Sequence, residues 1–433
     1  MAQLHFAVTA DSVTLWWELP GELPPRSLWQ VRMNGQQLAV IEKTHYTVEG
    51  LVPEQTCSFE VTSGSCAFRG QAVTAPARRR IDVTEAPYRA VGDGQTVNTA
   101  VLQRAIDACG PNDELWLPRG VYLTGALFLH SHMSVYLEEG AVLQGTTEPD
   151  DYLPRIRNRF EGIEQETYAA LLNLGRMDRN GGVACEDVLI HGHGTIAGGG
   201  RPLAEECIRR ETVRLKPVLE ALGDRIGEFE KPETLPARTR PRHILMMNCR
   251  SIRLTGLTIM NGPCWNVHMI YSIDILTDHC TVISSGIWNG DGWDPDSSED
   301  CTLFACRFRT GDDAVAIKSG KNPEGNLIGR PTRRVRIFDC VIESGHGFAI
   351  GSEMSGGVED VRIWDCDLSD SRYGLEIKAT RKRGGYVRDV HVRGCSMPRI
   401  MAHSVGYNDD GEGAKEAPFF SDIELRDLRL TGI

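Results

Sequence analysis

One short pattern recurs through the second half of the chain: alternating apolar and polar residues that end in cysteine, usually just after Asn, Asp or His. Six copies occupy residues 244–249, 273–280, 301–306, 335–340, 361–366 and 390–395. The steps between their final cysteines are 31, 26, 34, 26 and 29 residues. A constant strand separated by loops of variable length indicates a solenoid, in which each repeat forms one coil and stacks on the next.

The segments between these strands lack helical periodicity, so an all-β solenoid, a parallel β-helix, is favoured over a leucine-rich horseshoe. Equivalent residues on neighbouring coils then lie about 4.8 Å apart, and the cysteines are predicted to form a buried ladder. Thirteen cysteines without a C-x-x-C pair fit reduced thiols. Because the first residues also lack a secretory signal, we expect a cytoplasmic protein, or a secreted one if a leader has been removed.

The first 80 residues have a different texture. Alternating segments at 13–17, 28–32 and 58–61 are separated by turn residues, which predicts a small β-sandwich over residues 1–80. The stretch 46–56 resembles the corner of a fibronectin type III domain, with Cys57 where that pattern has tyrosine. Residues 76–80 are a predicted linker, and the β-helix domain is predicted over 81–433. Within it we expect a helix at 99–109, capped by Asn98, and a partly helical excursion at 200–240.

The formal net charge of −12 argues against a nucleic-acid or anionic-membrane partner, because no basic field offsets it. No run of eighteen apolar residues is present, so no membrane span is predicted. An acidic sugar could still bind where cations cluster locally. The sequence leaves the oligomeric state open.

Four glycine-flanked segments place polar residues on successive coils: 289–294 (NGDGWD), 311–318 (GDDAVAIK), 345–351 (GHGFAIG) and 374–378 (GLEIK). The steps from Asp291 to Asp312, from Asp313 to His346 and from His346 to Lys378 are 21, 33 and 32 residues, each close to one coil. We therefore expect these five side chains to line one face. Neighbouring carboxylates raise one another's pKa, so one can stay protonated while another ionises, as glycosidic cleavage requires.

These four segments, in this order, resemble the motifs of glycoside hydrolase family 28, the polygalacturonase family, and the resemblance runs from about residue 81 to the C-terminus. It implies a right-handed parallel β-helix that hydrolyses galacturonic-acid linkages in oligosaccharides with inversion and without a metal or cofactor. By position, Asp312 matches the general acid, and Asp291 with Asp313 matches the pair that holds and deprotonates the water. His346 matches the histidine that hydrogen-bonds near the acid, and Lys378 matches the cation that grips the sugar carboxylate.

One departure from the family pattern is Glu376, which stands where an arginine is usual and removes a bidentate carboxylate clamp. Arg381 and Arg383 are predicted to supply that clamp, and Tyr407 matches a late tyrosine that lines the subsite. Trp293 is a candidate for stacking on a sugar ring, with packing in the core as the alternative. Exo action is predicted, because the N-terminal sandwich could close one end of the groove.

Other interpretations stay open at this point. The substrate could be rhamnogalacturonan or another uronide, and a similar fold with calcium would make a pectate lyase. A glycan-binding protein without catalysis is disfavoured, because a binder of polyanions should avoid three acids in its groove. Asp294, Asp296 and Asp300 are expected to be structural, and Lys318, five residues after Asp313, is expected on the opposite strand face.

Overall fold

The computed structural model describes residues 3–223, 238–406 and 411–432, and its larger part is a parallel β-helix of three long sheets. The eleven-stranded sheet contains Arg79–Asp82, Asp113–Leu117, Met133–Leu137, Cys185–Gly192, Cys249–Thr255, Ile273–Asp278, Glu299–Phe304, Thr332–Phe338, Val358–Trp364, Tyr386–Arg393 and Phe419–Arg426. The nine-stranded sheet contains Leu127–Leu129, Leu172–Gly175, Ile244–Met247, Val267–Ile270, Trp293–Asp296, Val315–Ile317, Gly347–Gly351, Gly374–Ala379 and Ile400–Ser404. The eight-stranded sheet contains Asp93–Val97, Gly120–Thr124, Ala141–Gly145, Thr195–Ala197, Thr258–Met260, Thr281–Ile283, Arg307–Arg309 and Val341–Ser344.

Each coil passes through the three sheets in turn, and every strand pairs in parallel with the equivalent strand of the next coil. The strands Ser396–Met397 and Arg429–Leu430 pair in the same way at the C-terminal end. The predicted parallel β-helix is thus confirmed. Apolar residues from all three sheets point inward and form one continuous core along the axis.

A left-handed residue before each ladder cysteine explains the repeated pattern. His279, Ala305, Asp339, Asp365 and Gly394 have φ between 49° and 65°, so each makes a one-residue corner between the eleven-stranded and eight-stranded sheets. Short polar residues and glycine tolerate this conformation best. The corner turns the following cysteine inward, and all five ladder cysteines are buried, at positions 280, 306, 340, 366 and 395.

The predicted cysteine ladder is wrong for the first of the six repeats, which ends in Cys249. Cys249 begins a strand of the eleven-stranded sheet and pairs with Cys185, whereas the ladder cysteines follow the ends of such strands. The residues before it, Ile244–Met247, belong to the nine-stranded sheet. Alternation and a final cysteine recur at two different corners of the coil, so the pattern alone does not distinguish them.

The N-terminal sandwich has two antiparallel sheets. One contains His5–Val8, Val13–Trp16 and His45–Val48, and the other contains Trp29–Met33, Gln36–Ile41, Thr56–Ser63 and Cys66–Val73. Its core packs around Trp17, Trp29 and Phe59, with Cys57 fully buried beside them. A fibronectin type III relationship stays a prediction. The predicted linker ends earlier than residue 80, because Arg79–Asp82 is already the first strand of the eleven-stranded sheet.

The sandwich packs on the outer face of the eleven-stranded sheet. Phe338 stacks between Phe304 and Trp364, with ring centroids 4.8 and 4.3 Å away. The Trp364 indole Nε1–H donates to Thr44 Oγ1 over 2.8 Å. The four polar segments lie instead on the nine-stranded sheet, so these contacts give no support to the expectation that the sandwich closes one end of the groove.

Helices are few in the described ranges: Thr99–Ala108, Gly200–Arg214, Lys216–Ala221 and Glu324–Ile328, with 3-10 turns at Pro149–Tyr152 and Arg381–Arg383. The first matches the predicted helix, but the Asn98 side chain bonds to the Val91 backbone and does not cap it. A hairpin, Ile156–Phe160 and Ile163–Thr167, and the excursion from Gly200 lie between coils. Within the described ranges, every helix is too short or too polar to cross a bilayer.

Candidate active site

The coil geometry brings the predicted catalytic residues together. Asp291, Asp313 and His346 each precede a strand of the nine-stranded sheet, and these strands are neighbours. The backbone links the residues directly: Gly292 N donates to Asp313 O at 3.0 Å, and His346 N donates to Asp312 O at 2.9 Å. The predicted placement on one face is therefore what the structure has.

The glycines around His346 serve coil stacking. Gly345 and Gly347 have φ of +120° and +117°, and a Cβ on Gly347 would lie 2.2 Å from the Gly374 carbonyl oxygen of the next coil. A Cβ on Gly345 would lie 2.1 Å from Thr310 Oγ1. Glycine is required at both positions by the close approach of neighbouring coils.

An ion network links the acids to two cations. His346 Nδ1 lies 3.0 Å from Asp312 Oδ1 and 3.7 Å from Asp313 Oδ1. Lys378 Nζ donates to Asp313 Oδ2 over 2.9 Å and lies 3.6 Å from Glu376 Oε2. Glu376 also contacts His403 Nε2 at 3.1 Å. Lys378 is therefore engaged by two carboxylates.

These contacts separate the protonation states of the site. Burial raises the pKa of Asp313, but the Lys378 ammonium and His346 outweigh it and lower this pKa to about 2. Burial lowers the pKa of His346, and its bonds to Asp312 and Asp313 overcome this and raise it to about 10. At neutral pH, Asp313 is thus an ionised carboxylate and His346 is an imidazolium that donates hydrogen bonds.

A second network surrounds Asp291. Lys318 Nζ lies 3.1 Å from Asp291 Oδ2, 3.5 Å from Asp294 Oδ1 and 3.4 Å from Glu353 Oε2. Burial, opposed by Lys318 and assisted by Asp312, raises the pKa of Asp291 to about 7. Burial and the Asp291 carboxylate raise the pKa of Asp294 well above its ordinary value, which favours the protonated form of this carboxyl group.

Three residues of this second network were missed or misplaced by the sequence analysis. Lys318 was expected on the opposite face, but counting from the inward-facing Val315 and Ile317 puts it on the outer face. The error came from counting through the turn that contains Asp313, where alternation does not apply. Asp294 contacts the catalytic cluster and Glu353 was not considered, whereas Asp296 is structural as expected and bonds to Arg159.

The site thus holds what hydrolysis of a glycoside needs, an ionised carboxylate beside carboxyl groups that can keep a proton. The exposure of the side chains and their pKa values favour different residues as the proton donor. The Asp312 side chain is 29% exposed, against 4% for Asp291 and 6% for Asp313, so Asp312 is the carboxyl that a leaving oxygen can reach. The raised pKa belongs to Asp291. Asp312 is the better candidate for the proton donor, because such a group must touch the glycosidic oxygen and only Asp312 is exposed enough to do so.

One group in the described part of the chain has the spacing of a metal site. The ligand atoms of Asp312, Asp313 and His346 all lie within 4.8 Å of one another. A protonated imidazole has no lone pair for a metal, and Lys378 already neutralises Asp313. The geometry fits a hydrogen-bonded catalytic cluster better than a cation site.

The predicted sugar ligands are distributed differently. Trp293 is 1% exposed and donates to Thr277 Oγ1, so it packs in the core and cannot stack on a sugar. Arg383 is fully buried and bonds to Ser352 O and Asn322, so it is structural. Arg381 is exposed at the start of the 3-10 turn. Tyr407 lies outside the described residues.

The outer face of the nine-stranded sheet is covered on one side of the acids. Phe160, Arg242 and Trp265 are buried there; the Arg242 guanidinium lies 4.1 Å from the Phe160 ring and 4.2 Å from the Trp265 ring. Lys318 Nζ lies 3.8 Å from the Trp265 ring, so this stack meets the catalytic cluster. On the other side, the outermost described strand, Ile400–Ser404, is partly or fully exposed.

Comparisons with known proteins agree with this geometry. Residues 183–433 match the model of Glycosyl hydrolases family 28. A probable polygalacturonase of Vitis vinifera is 32% identical over 361 residues, covering 79% of this chain and 67% of that protein. An exo-poly-alpha-D-galacturonosidase of Dickeya chrysanthemi is 25% identical over 343 residues, covering 75% of this chain and 56% of that protein.

Two solved structures share the fold. A family 28 exopolygalacturonase of Yersinia enterocolitica superposes with a TM-score of 0.85 at 22% identity, over 100% of this chain and 87% of that one. A hyperthermoactive exopolygalacturonase of Thermotoga maritima gives a TM-score of 0.68 at 28% identity, over 81% and 80% of the two chains. Because the family model matches more than half of the residues and the acids lie together as its motifs imply, this chain belongs to glycoside hydrolase family 28.

Proposed function

We propose that the protein hydrolyses α-1,4-galacturonide linkages in pectin-derived oligogalacturonides, with inversion at the anomeric carbon. The observation that carries this proposal is the accessible Asp312 beside Asp313, which Lys378 keeps ionised. The names of the relatives from Vitis vinifera and Dickeya chrysanthemi support galacturonan as the substrate.

The mechanism follows from these positions. Asp312 donates its proton to the leaving glycosidic oxygen, and His346 donates a hydrogen bond that orients the Asp312 carboxyl. Asp313 and Asp291 hold a water molecule, and the ionised Asp313 takes its proton as the water attacks. The attack comes from the face opposite the leaving group, so the configuration inverts.

We also propose exo action. The buried Phe160–Arg242–Trp265 stack covers the sheet on one side of the acids, while the strand Ile400–Ser404 lies open on the other. A chain that can approach from one side only presents its end for cleavage. The names of the Dickeya chrysanthemi and Thermotoga maritima relatives support the same mode.

The test is reducing-sugar release from polygalacturonate, with products separated by size. We expect mono- or disaccharides from the first minutes, and Asp312→Asn should lower turnover by about 10²–10⁴-fold. Asp300→Asn is the matched control, because Asp300 pairs with Arg334 away from the site. A ladder of intermediate oligomers would contradict exo action. Release from rhamnogalacturonan alone would reassign the substrate, and no release from any uronide would end the proposal.

A further inference from the structure

In the described part of the catalytic cluster, both lysines already contact carboxyl groups. Lys378 is engaged by Asp313 and Glu376, and Lys318 is engaged by three carboxyl groups. Glu376 adds negative charge beside Lys378. A uronate beside Asp312 therefore needs a positive charge from another part of the groove.

The next coil supplies one. Arg372 N donates to Gly345 O and Tyr373 N donates to His346 O, both over 2.8 Å, so this dipeptide continues the row of catalytic residues toward the open side. The Tyr373 ring lies 4.9 Å from the His346 ring, and the Arg372 guanidinium lies 4.9 Å from the centroid of the Tyr373 ring. These two separations put the guanidinium within about 10 Å of the imidazole.

Arg372 is exposed, and among residues 3–223, 238–406 and 411–432 it has no ion-pair partner. Tyr373 is partly exposed, so its ring can contact a ligand. Arg399 follows on the next coil, where its carbonyl accepts the Leu375 N–H, and it is exposed as well. A planar guanidinium held over an aromatic ring can bind a carboxylate through two parallel hydrogen bonds.

We propose that Tyr373 and Arg372 form a uronate subsite beside the point of cleavage, in which Tyr373 contacts the sugar ring and Arg372 binds its carboxylate. This inference rests on the proposed function and names the residues that read the charge of the substrate. Arg372 adds a second cation to Lys378, whose ammonium also bonds to Asp313.

Binding to the full-length Asp312→Asn protein tests the subsite without turnover. Calorimetry would compare the galacturonic-acid trimer with its methyl ester. We expect tighter binding of the free acid, and adding Arg372→Gln should weaken free-acid binding about ten- to a hundredfold while the ester is little affected. Arg372→Lys should recover part of the loss, and Tyr373→Ala should weaken both ligands.

The matched control is Arg104→Gln, which removes one exposed charge from the helix Thr99–Ala108 and should change neither affinity. An unchanged ratio of free-acid to ester affinity in the Arg372→Gln protein would overturn the subsite. Failure of the Asp312→Asn protein to bind either trimer would overturn it too. Hydrolysis of polygalacturonate by the wild type is a separate measurement, so a failed subsite and a failed proposed function give different results.

Discussion

The substitution Lys378→Met tests whether this lysine keeps Asp313 ionised, as the structure indicates, or serves only to bind the substrate carboxylate. Lys378 Nζ and Asp313 Oδ2 are 2.9 Å apart and nearly buried. Removing one partner of a buried ion pair costs about 3–5 kcal/mol. Since about 1.4 kcal/mol corresponds to a tenfold change in a proton affinity, the pKa of Asp313 should rise from about 2 to about 4–6.

The rise in the pKa of Asp313 determines how the stability of the Lys378→Met protein depends on pH. In the wild type, the depressed pKa of Asp313 stabilises the fold above the unfolded value near 4, and that contribution is lost as pH falls toward 2. In Lys378→Met the folded pKa lies at or above the unfolded value. The free energy of unfolding should therefore be lower by about 3–5 kcal/mol at pH 7, and this deficit should narrow as pH falls toward 4.

Urea unfolding at pH 7 and pH 4.5 measures the effect, and Asp313→Asn completes a double-mutant cycle. We expect strong coupling between the two substitutions, because each removes the other's partner. Lys43→Met, which breaks an exposed pair with Asp339, is the control and should cost about 0–1 kcal/mol. Additive losses, or a deficit that is the same at both pH values, would refute the reasoning.

Three further outcomes are expected. Burial raises the pKa of Asp291 to about 7. If the ionised Asp291 helps to hold the water, kcat/KM should therefore rise as pH increases through about 7. A kcat/KM that falls across that range would make Asp291 the proton donor. Proton NMR of the first products should show the inverted anomer, and early appearance of the retained anomer would exclude the mechanism. Phe338→Ala should destabilise the interface between the sandwich and the β-helix by about 3–5 kcal/mol, measured by thermal unfolding. Activity should be kept, because this ring lies on the sheet away from the acids. Unchanged stability would contradict the packing of this ring in the interface.

The sequence by itself determined the solenoid and the place of Asp291, Asp312, Asp313 and His346 on one face of it. A strand that recurs at coil spacing can bury its apolar face only by stacking, so the fold follows from the pattern. Stacking also fixes which residues are neighbours: His346 meets Asp312 and Asp313 because it follows them by about one coil.

Only the tertiary structure decided how the charges are paired and what is exposed. Trp293 and Arg383 carry groups that suit sugar binding, but both are buried. Lys378 has the chemistry of a carboxylate ligand, and only the structure shows that it also pairs with Asp313 and Glu376. Spacing along the chain gives the coil on which a residue lies. The pKa values and the exposure of the acids depend instead on side chains that contact one another across coils and on the loops that cover them. Those contacts join residues that share no motif, such as Lys318 and Glu353.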